Sequence, residues 1–266
     1  MSLRNKLANY SMRNNLVSII TPSYNSSKFI EECVDSVISQ KFQNWEMIIV
    51  DDASTDRSIE IVKKIMSNEP RLQLKQLVDN LGPAHTRNNG IKLAKGRFLA
   101  FLDSDDLWHK DKLEKQIIFM QKNEYAFTFT SYEKIDEKGK KIGNILPFKD
   151  QVTYHDLLKS NHIGCLTAMI DLKILGYKMY MPDIKKRQDQ GLWLEILKEI
   201  DKAYCLNKVL GKYRIRKDSI SIKKIANIKF QWQLYRELEK LSIIQSFYYM
   251  LWYAYYGIRK YSNLFK

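Results

Sequence analysis

Three carboxylates stand within four positions directly after an apolar run. The run is Phe98–Leu102, and the acids are Asp103, Asp105 and Asp106. A run of this length is typical of a strand buried on both faces, which places the acids where the strand leaves its sheet. Because clustered carboxylates repel one another, a hard divalent cation, Mg²⁺ or Mn²⁺, with a phosphorylated ligand would suit this position. The pattern alone is weak evidence, since about one D-x-D is expected by chance in such a chain, and a solvated acidic loop has the same sequence.

Strand-like and helix-like segments alternate four times up to these acids. The segment Phe29–Ile38 has apolar residues at helical spacing, and the segment from Pro83 to Ala94 has proline at its start and Gly96 just past its end. This alternation predicts an α/β fold: a mixed, mainly parallel sheet with right-handed crossovers, flanked by helices. The four predicted strands are Leu16–Thr21, ended by Pro22, then Met47–Val50, Leu72–Leu77 and Phe98–Leu102.

Polar side chains follow these strands, and parallel strands bring their carboxyl ends to one edge of the sheet, where ligands bind. Neither a G-x-G-x-x-G loop nor a lysine-containing phosphate loop is present, which argues against dinucleotide-binding and P-loop proteins. Tyr24 offers a face for base stacking, and Asp52 can accept from a ring N–H. Arg87 can pair with a phosphate or a base edge, and Asp105 can hold a metal that bridges two phosphates. The candidate residues are Thr21, Pro22, Tyr24, Asn25, Asp52, Asn80, Gly82, Arg87, Asp103, Ser104 and Asp105.

Beyond residue 106 the pattern predicts additions to the same sheet and one long amphipathic helix. Residues 1–15 look like a polar lead-in, and they lack the apolar core of a signal peptide. The cysteines are three in number, scattered and outside C-x-x-C spacing, which indicates reduced thiols in a reducing compartment. The further elements are strands Tyr125–Tyr132 and Leu166–Ile170, a hairpin turn at Glu137–Lys140, helix Gln188–Ile200, and strands Tyr204–Leu206 and Val209–Tyr213.

Positive charge is concentrated in the last quarter of the chain. The net charge is +14, and from Gly211 to Lys266 there are 12 Lys or Arg against 3 Asp or Glu, a net +9. Within this tail a basic helix is predicted over Ile222–Leu241, followed by Ser242–Ile258, which has no charged residue and many tyrosines. Aromatic residues beside basic ones favour binding to an anionic membrane surface. A helix packed on the sheet, or in a homodimer interface, is the alternative.

The ordered set of motifs resembles the family 2 glycosyltransferases, which are inverting enzymes of the GT-A fold. The resemblance covers about Val17–Tyr213, and five motifs in the family's order are far more specific than any one alone. The motifs are T-P-x-Y-N at 21–25, V-D-D-x-S-x-D at 50–56, N-x-G-x-x-x-x-R-N at 80–88, G-R-F-x-x-F-L-D-S-D-D at 96–106 and Q-D-x-x-L-W-L-x-I-L at 188–197.

The resemblance implies roles for the residues that bind the donor. Tyr24 and Asp52 would hold the uracil of a UDP-sugar, and Arg87 would support the nucleotide. Asp103 would contact ribose or sugar, and Asp105 would ligate Mn²⁺ or Mg²⁺. Asp106 is expected to be structural.

The resemblance also implies that Asp189 is the catalytic base that takes the proton of the acceptor hydroxyl. The family's E-D dipeptide is Gln188-Asp189 here, so the base is kept while its acidic neighbour is a neutral amide. A first-turn acid of a helix is the structural alternative for Asp189. Many relatives have His where Arg216 stands; an arginine cannot ligate a metal but can neutralise the phosphates.

Together these features predict an enzyme that moves one sugar, with inversion, from a UDP-sugar to a lipid-linked or oligosaccharide acceptor. The expected setting is surface-polysaccharide synthesis (O-antigen or capsule) on the cytoplasmic face of a bacterial membrane. We expect residues 16–213 to form the GT-A domain, with a nucleotide-sugar half (16–106) and an acceptor half (107–213), and residues 214–266 to form the tail.

Three other classes of protein are the alternatives. A nucleotidyltransferase would usually have a Gly-rich basic loop after the first strand, and residues 22–27 have none. A nucleic-acid-binding protein is disfavoured because the basic residues flank an aromatic segment rather than form a recognition helix. A degenerate transferase acting as a scaffold is disfavoured by the retained Asp52, Asp103, Asp105 and Asp189.

Overall fold

The computed structural model describes residues 15–143, 149–216 and 224–262. The polar lead-in up to residue 14 and the first residues of the predicted basic helix, 222 and 223, lie outside these ranges. The strands are β1 (Val17–Ser23), β2 (Trp45–Asp51), β3 (Leu72–Gln76), β4 (Phe98–Phe101), β5 (Leu107–Trp108), β6 (Phe127–Ile135), β7 (Lys141–Ile142), β8 (Gln151–Val152), β9 (Met169–Asp171) and β10 (Ala203–Arg214).

Helices alternate with these strands and then form the end of the chain. A short 3₁₀ turn covers Cys165–Thr167, and a π-helical stretch covers Leu234–Leu238. The α-helices are α1 (Ile30–Ile38), α2 (Ser58–Met66), α3 (Pro83–Leu93), α4 (Lys112–Asn123), α5 (Tyr154–Lys159), α6 (Leu172–Leu175), α7 (Gln188–Glu199), α8 (Lys224–Gln233) and α9 (Ile243–Ser262).

One mixed sheet organises the described residues, in the order β3-β2-β1-β4-β9-β6-β10-β5. The first four strands are parallel, as the alternating pattern predicts. Strand β9 is antiparallel to both β4 and β6, and β10 is parallel to β6. Strand β10 therefore runs in the same direction as β4, and their carboxyl ends lie at the same edge. This edge gathers the acids after β4 and the arginines at the end of β10.

Buried apolar side chains cover both faces of the sheet. On one face, the ring of Trp193 from α7 packs 5.4 Å from Phe101 and 5.0 Å from Phe127, measured between ring centres. This packing fixes α7, and with it Asp189, against β4 and β6. On the same face, a Cβ at Gly90 would lie 2.7 Å from the Ile20 side chain, so α3 approaches β1 closely and sets the position of Arg87.

Several element boundaries differ from the predicted ones. Strand β1 continues through Pro22. Its pairing with β4 ends at Ile20, so the N–H that proline lacks would have no strand on that side to accept its hydrogen bond, and the proline is tolerated. The two predicted final strands form one strand, β10, with irregular pairing after Leu206. Residues 166 and 167 belong to the 3₁₀ turn, which the Thr167 hydroxyl closes on the Gly164 carbonyl. The predicted basic helix changes to a π-helical stretch at Leu234.

The C-terminal helices pack on α5 and α7. The side chain of Glu239 is buried, 2.5 Å from the Tyr154 hydroxyl and 3.0 Å from Lys198 Nζ. The Tyr249 hydroxyl lies 2.7 Å from His155 Nδ1, and the Tyr235 hydroxyl donates to the Leu158 carbonyl at 2.5 Å. Among the residues described, no helix combines the length and the apolarity that a membrane crossing requires.

Candidate functional site

The loops after β1 and β2 hold each other through hydrogen bonds. The backbone N–H of Asn25 donates to Ser54 Oγ at 2.9 Å, and the backbone N–H of Thr55 donates to Asn25 Oδ1 at 2.9 Å. Asn25 and Ala53 both adopt positive φ, 47° and 61°, so both loops turn sharply. Tyr24 is left with half of its surface exposed at this point, which suits a ring that stacks on a planar ligand.

Asp52 fixes the loop that leads into α3. Its two carboxylate oxygens accept from the backbone N–H groups of Leu81 and Gly82, at 2.8 and 2.9 Å. The Asn80 amide donates to the backbone carbonyl of Asp52 at 3.2 Å. Gly82 has φ = 84°, which L side chains rarely adopt, and this explains the glycine at the start of α3. Asp52, Asn80 and Gly82 therefore form one connected unit, and binding of a base by Asp52 stays a prediction.

Arg87 and Asp103 form a buried ion pair where α3 meets the end of β4. Arg87 Nη2 lies 2.5 Å from Asp103 Oδ1, and the Arg87 side chain is almost fully buried. Burial alone would lower the pKa of Arg87, but the Asp103 carboxylate outweighs it and raises this pKa. Among the described residues, Arg87 Nε has no hydrogen-bond partner. A buried, charged donor without a partner is costly, so this atom is available to an anionic or carbonyl oxygen of a ligand.

Asp105 and Asp106 occupy different environments. Asp106 is buried and accepts from the backbone N–H of Arg214 at 2.8 Å, in keeping with the structural role expected of it. Asp105 Oδ2 lies 3.0 Å from Arg216 Nε. Burial, followed by repulsion from Asp103, raises the pKa of Asp105, while Arg216 opposes this shift. Burial and the same neighbouring acids raise the pKa of Asp106 further. The acidic loop therefore carries more negative charge than its surroundings stabilise.

Arg214 is a functional residue that the sequence interpretation missed. Its side chain is fully buried, and its Nε donates to the backbone carbonyl of Asp105 at 2.8 Å. Its other nitrogens donate to the Glu137 carbonyl at 2.9 Å and to Glu32 Oε2 at 2.6 Å. The signal for it is the parallel direction of β10, which only the full sheet order reveals. Arg214 thus holds the backbone of the acidic loop, while Arg216 faces its carboxylate.

A cavity of about 240 Å³ brings two of the predicted donor-binding residues, Arg87 and Asp103, together with the predicted base Asp189. Asp189 lies in the first turn of α7, and Asn161 Nδ2 is 3.4 Å from its Oδ2. Thr21 and Pro22 lie in β1 and Ser104 lies in the acidic turn; Tyr24, Asp52 and Asp105 are not part of the cavity wall. The cavity is lined by Arg87, Asp103, Asp106, Tyr132, Gly164, Cys165, Leu166, Gln188, Asp189 and Tyr213.

Gln188, the neutral residue beside the predicted base, has a structural role. Its Nε2 donates to the backbone carbonyl of Lys185 at 2.9 Å and holds the turn that precedes α7. A glutamate could not donate this hydrogen bond. The same loop is fixed to α3 by Asn88, whose side chain exchanges two hydrogen bonds of 2.8 Å with the backbone of Met181. Helix α3 therefore positions both Arg87 and the approach to Asp189.

The acidic loop fits a divalent cation that a ligand helps to bind. No cluster of three or more acidic, histidine or cysteine side chains suitable for a metal occurs in the described residues. Mg²⁺ is commonly bound by one or two carboxylates together with substrate phosphates, which is what Asp105 could provide. Burial and then repulsion from Asp103 raise the pKa of Asp105, and a cation beside it would favour the charged carboxylate.

The chain is similar to known proteins that are named as glycosyltransferases. TuaG of Bacillus subtilis, a protein named for teichuronic acid biosynthesis, is 42% identical over 245 residues, covering 92% of this chain and 97% of TuaG. An Escherichia coli protein named UDP-Glc:alpha-D-GlcNAc-diphosphoundecaprenol beta-1,3-glucosyltransferase WfgD is 37% identical, covering 94% of this chain and 97% of WfgD. The crystal structure of S. aureus TarS 1–349 in complex with UDP has a TM-score of 0.65 at 24% identity, over 90% of this chain and 70% of that one.

The likeness to TarS concerns the fold and confirms the predicted architecture of a mixed, mostly parallel sheet flanked by helices. The family profile described as Glycosyl transferase family 2 matches residues 18–175, which is more than half of the chain. With that match, and with 42% identity to TuaG along nearly its whole length, the chain belongs to glycosyl transferase family 2, as its motifs predict.

Proposed function

We propose that this glycosyltransferase moves one sugar, with inversion, from a UDP-sugar to a hydroxyl of a lipid-linked acceptor in bacterial surface-polysaccharide synthesis. The observation that carries the proposal is the cavity whose wall includes both the Arg87–Asp103 pair and Asp189. Residues suited to binding a nucleotide and a further carboxylate in the wall of one cavity suit a displacement between donor and acceptor. The names of WfgD and TuaG support the class of acceptor and the pathway.

In this reaction Asp189 acts as the general base. The acceptor oxygen attacks the anomeric carbon, its proton passes to a carboxylate oxygen of Asp189, and the bond from that carbon to the diphosphate oxygen breaks with its electron pair. Attack from the face opposite the leaving UDP inverts the anomeric carbon. Positioned proton transfer of this kind typically contributes roughly 10²- to 10⁴-fold to a rate. Asn161 helps to orient the base.

The donor is held at the carboxyl edge of the sheet. Tyr24 stacks on the uracil and Asp52 accepts from it, supported by the loop from Asn80 to Gly82. Asp103 contacts the ribose or the sugar, and the free Nε of Arg87 binds the nucleotide. Thr21, Pro22, Asn25 and Ser104 form the remaining wall of this subsite.

Asp105 would hold Mn²⁺ or Mg²⁺, and such a cation supplies stabilisation of the negative charge that develops on the departing diphosphate. Arg216 pairs with Asp105, and its guanidinium would be available to the phosphates if the Asp105 carboxylate held a cation. Calorimetry of UDP binding tests this role. Asp105→Ala should abolish the gain in UDP affinity that Mn²⁺ gives, and a gain equal to that of the wild type would exclude Asp105 as a ligand.

The tail supports location at an anionic membrane surface on the cytoplasmic side. The face of α9 that does not pack on the domain exposes a continuous row of apolar side chains, and residues 211–266 carry the net charge of +9 counted above. The exposed apolar row and the positive charge both strengthen binding to an anionic membrane, and their contributions add. Residues 16–213 would form the catalytic unit, with donor and acceptor halves divided near residue 106, and residues 214–266 the membrane-binding tail; dimerisation is the alternative use of the exposed row. The exposed apolar residues of α9 are Ile243, Ile244, Phe247, Tyr248, Leu251, Tyr255 and Ile258.

The proposed reaction is tested by the stereochemistry of its product. A panel of UDP-sugars is incubated with the chain, Mn²⁺ and an alkyl-diphosphate-linked GlcNAc, and the product is examined by proton NMR. We expect transfer from one UDP-hexose, whose donor linkage is α, to give a β-linked product. An α-linked product would contradict inversion, and the absence of UDP release from the whole panel would contradict the donor class.

A further inference from the structure

A basic turn lies directly before the predicted base. The turn consists of Lys185, Lys186 and Arg187, two to four residues ahead of Asp189. Arg187 has φ = 68°, an uncommon conformation for a non-glycine residue, and the backbone N–H of Gly191 donates to its carbonyl at 2.8 Å. Such backbone conformations persist where the surroundings impose them, and they concentrate at binding sites.

The basic turn is held in place from two directions. Gln188 binds the Lys185 carbonyl, and Asn88 binds the backbone of Met181 at the start of the same loop. The Arg187 guanidinium donates to the hydroxyl of Tyr253 on α9. The cations are therefore presented by an ordered backbone beside the membrane-facing helix, which reduces the entropy lost when they bind a ligand.

Two of the three cations of this turn are not paired with an acid in the part of the chain that the structure describes. Neither Lys185 nor Arg187 has a carboxylate partner there, whereas Arg87, Arg214 and Arg216 each pair with one. Lys185 is exposed. Cations that are ordered but not paired with an acid suit an anionic ligand, and a guanidinium binds a phosphate through two parallel hydrogen bonds.

The position of the basic turn relative to Asp189 suits binding of the acceptor rather than of the donor. Arg187 stands two positions before Asp189, so their Cα atoms are at most about 7 Å apart. This span is comparable with one sugar ring and its linkage. Because attack comes from the face opposite the leaving UDP, the side on which the base approaches is the acceptor side. An anion attached to the acceptor sugar would therefore reach the basic turn, while the donor diphosphate lies near Asp105.

We propose that Lys185 and Arg187 bind the diphosphate of a lipid-diphosphate acceptor whose first sugar carries the attacked hydroxyl. This inference rests on the proposed function and specifies its acceptor. The lipid chain then continues from the diphosphate along α9, whose tyrosine hydroxyl at position 253 contacts Arg187.

Binding of decyl diphosphate tests the proposal without requiring transfer. The full chain is saturated with UDP and Mn²⁺, so that the donor site is filled, and decyl diphosphate is titrated by calorimetry against decyl glucoside as the neutral probe. We expect decyl diphosphate to bind at least tenfold more tightly than decyl glucoside. The double variant Lys185→Gln/Arg187→Gln should lose at least tenfold in affinity for decyl diphosphate, and Arg187→Lys should lose less.

The matched control is Lys63→Gln/Lys64→Gln, which removes two exposed lysines from α2 and should leave the affinity for decyl diphosphate unchanged. UDP binding and the melting temperature, measured on every variant, show that fold and donor site are intact. Equal affinity of the wild type for the two decyl probes, or unchanged affinity in the Lys185/Arg187 variant, would overturn the proposal. Failure of UDP binding in the wild type would instead count against the proposed function.

Discussion

Replacing Arg214 with methionine should loosen the acidic loop from the end of β10. Methionine keeps much of the aliphatic length but has no donor, so the Asp105 and Glu137 carbonyls and Glu32 lose their hydrogen bonds. The Glu32 side chain is 59% exposed and regains water at little cost, so the main penalty falls on the Asp105 carbonyl and on the loss of a cation beside two acids.

A buried acceptor left without a partner costs about 1–3 kcal/mol, and the lost hydrogen bond at Glu137 adds about 1 kcal/mol. We therefore expect Arg214→Met to lower the free energy of unfolding by about 2–4 kcal/mol. In a chain of this size that corresponds to a fall in melting temperature of roughly 5–15 °C. UDP binding in the presence of Mn²⁺ should weaken as well, because Arg214 positions Asp105.

Arg57→Met is the matched control for this variant. Arg57 is 77% exposed and, within the described ranges, pairs only with Glu60, which is itself exposed. Such surface pairs are worth about 0–1 kcal/mol, so this variant should melt close to the wild type. Both variants are compared by calorimetric melting and by UDP titration. If Arg214→Met melts no lower than Arg57→Met, Arg214 does not hold the loop and the assignment is refuted.

Burial lowers the pKa of Lys112 to about 7. Between about pH 7 and about pH 10 the folded chain therefore lacks a proton that the unfolded chain keeps, and the free energy of unfolding measured by urea denaturation should rise with pH over this range. The gain in the free energy of unfolding is at most roughly 4 kcal/mol, because the cation–π contact between Lys112 and Trp108 favours the charged form of the lysine. If the stability of Lys112→Met rose with pH as steeply as that of the wild type, this prediction would be contradicted. Asn88→Ala should raise the acceptor KM several-fold more than the donor KM, since two hydrogen bonds to the loop before α7 are lost; equal rises would contradict this. Replacing Phe247 and Leu251 with glutamate should abolish sedimentation with anionic vesicles, and unchanged sedimentation would exclude α9 as the membrane-binding surface.

Much of the sheet is predictable from local pattern. The apolar run Phe98–Leu102 and the three strands before it alternate with amphipathic helices, and such alternation leaves little freedom in topology. The ends of strands are less predictable. Pro22 stays within β1 because the pairing of β1 with β4 ends at Ile20, which is a property of the assembled sheet and not of the local sequence.

The residues of the site also fall into two groups. Some stand in sequence motifs, and others can be recognised only from the assembled sheet. Arg87, Asp103 and Asp189 stand in motifs, and the structure brings all three to one cavity. Arg214 could not be recognised, because its importance depends on β10 running parallel to β4 across two intervening strands. The role of Gln188 was equally hidden, since the carbonyl that it binds belongs to a turn whose conformation is set by Arg187.

The most direct test of Asp189 as the base is the rate of sugar transfer by Asp189→Asn. Asparagine keeps the shape of the side chain and cannot accept the proton, so kcat should fall by roughly 10²- to 10⁴-fold while UDP binding and melting temperature stay close to those of the wild type. Asp183→Asn, an exposed acid of the preceding loop, is the matched control and should transfer normally. Transfer by Asp189→Asn at a rate near that of the wild type, with the fold intact, would contradict the account.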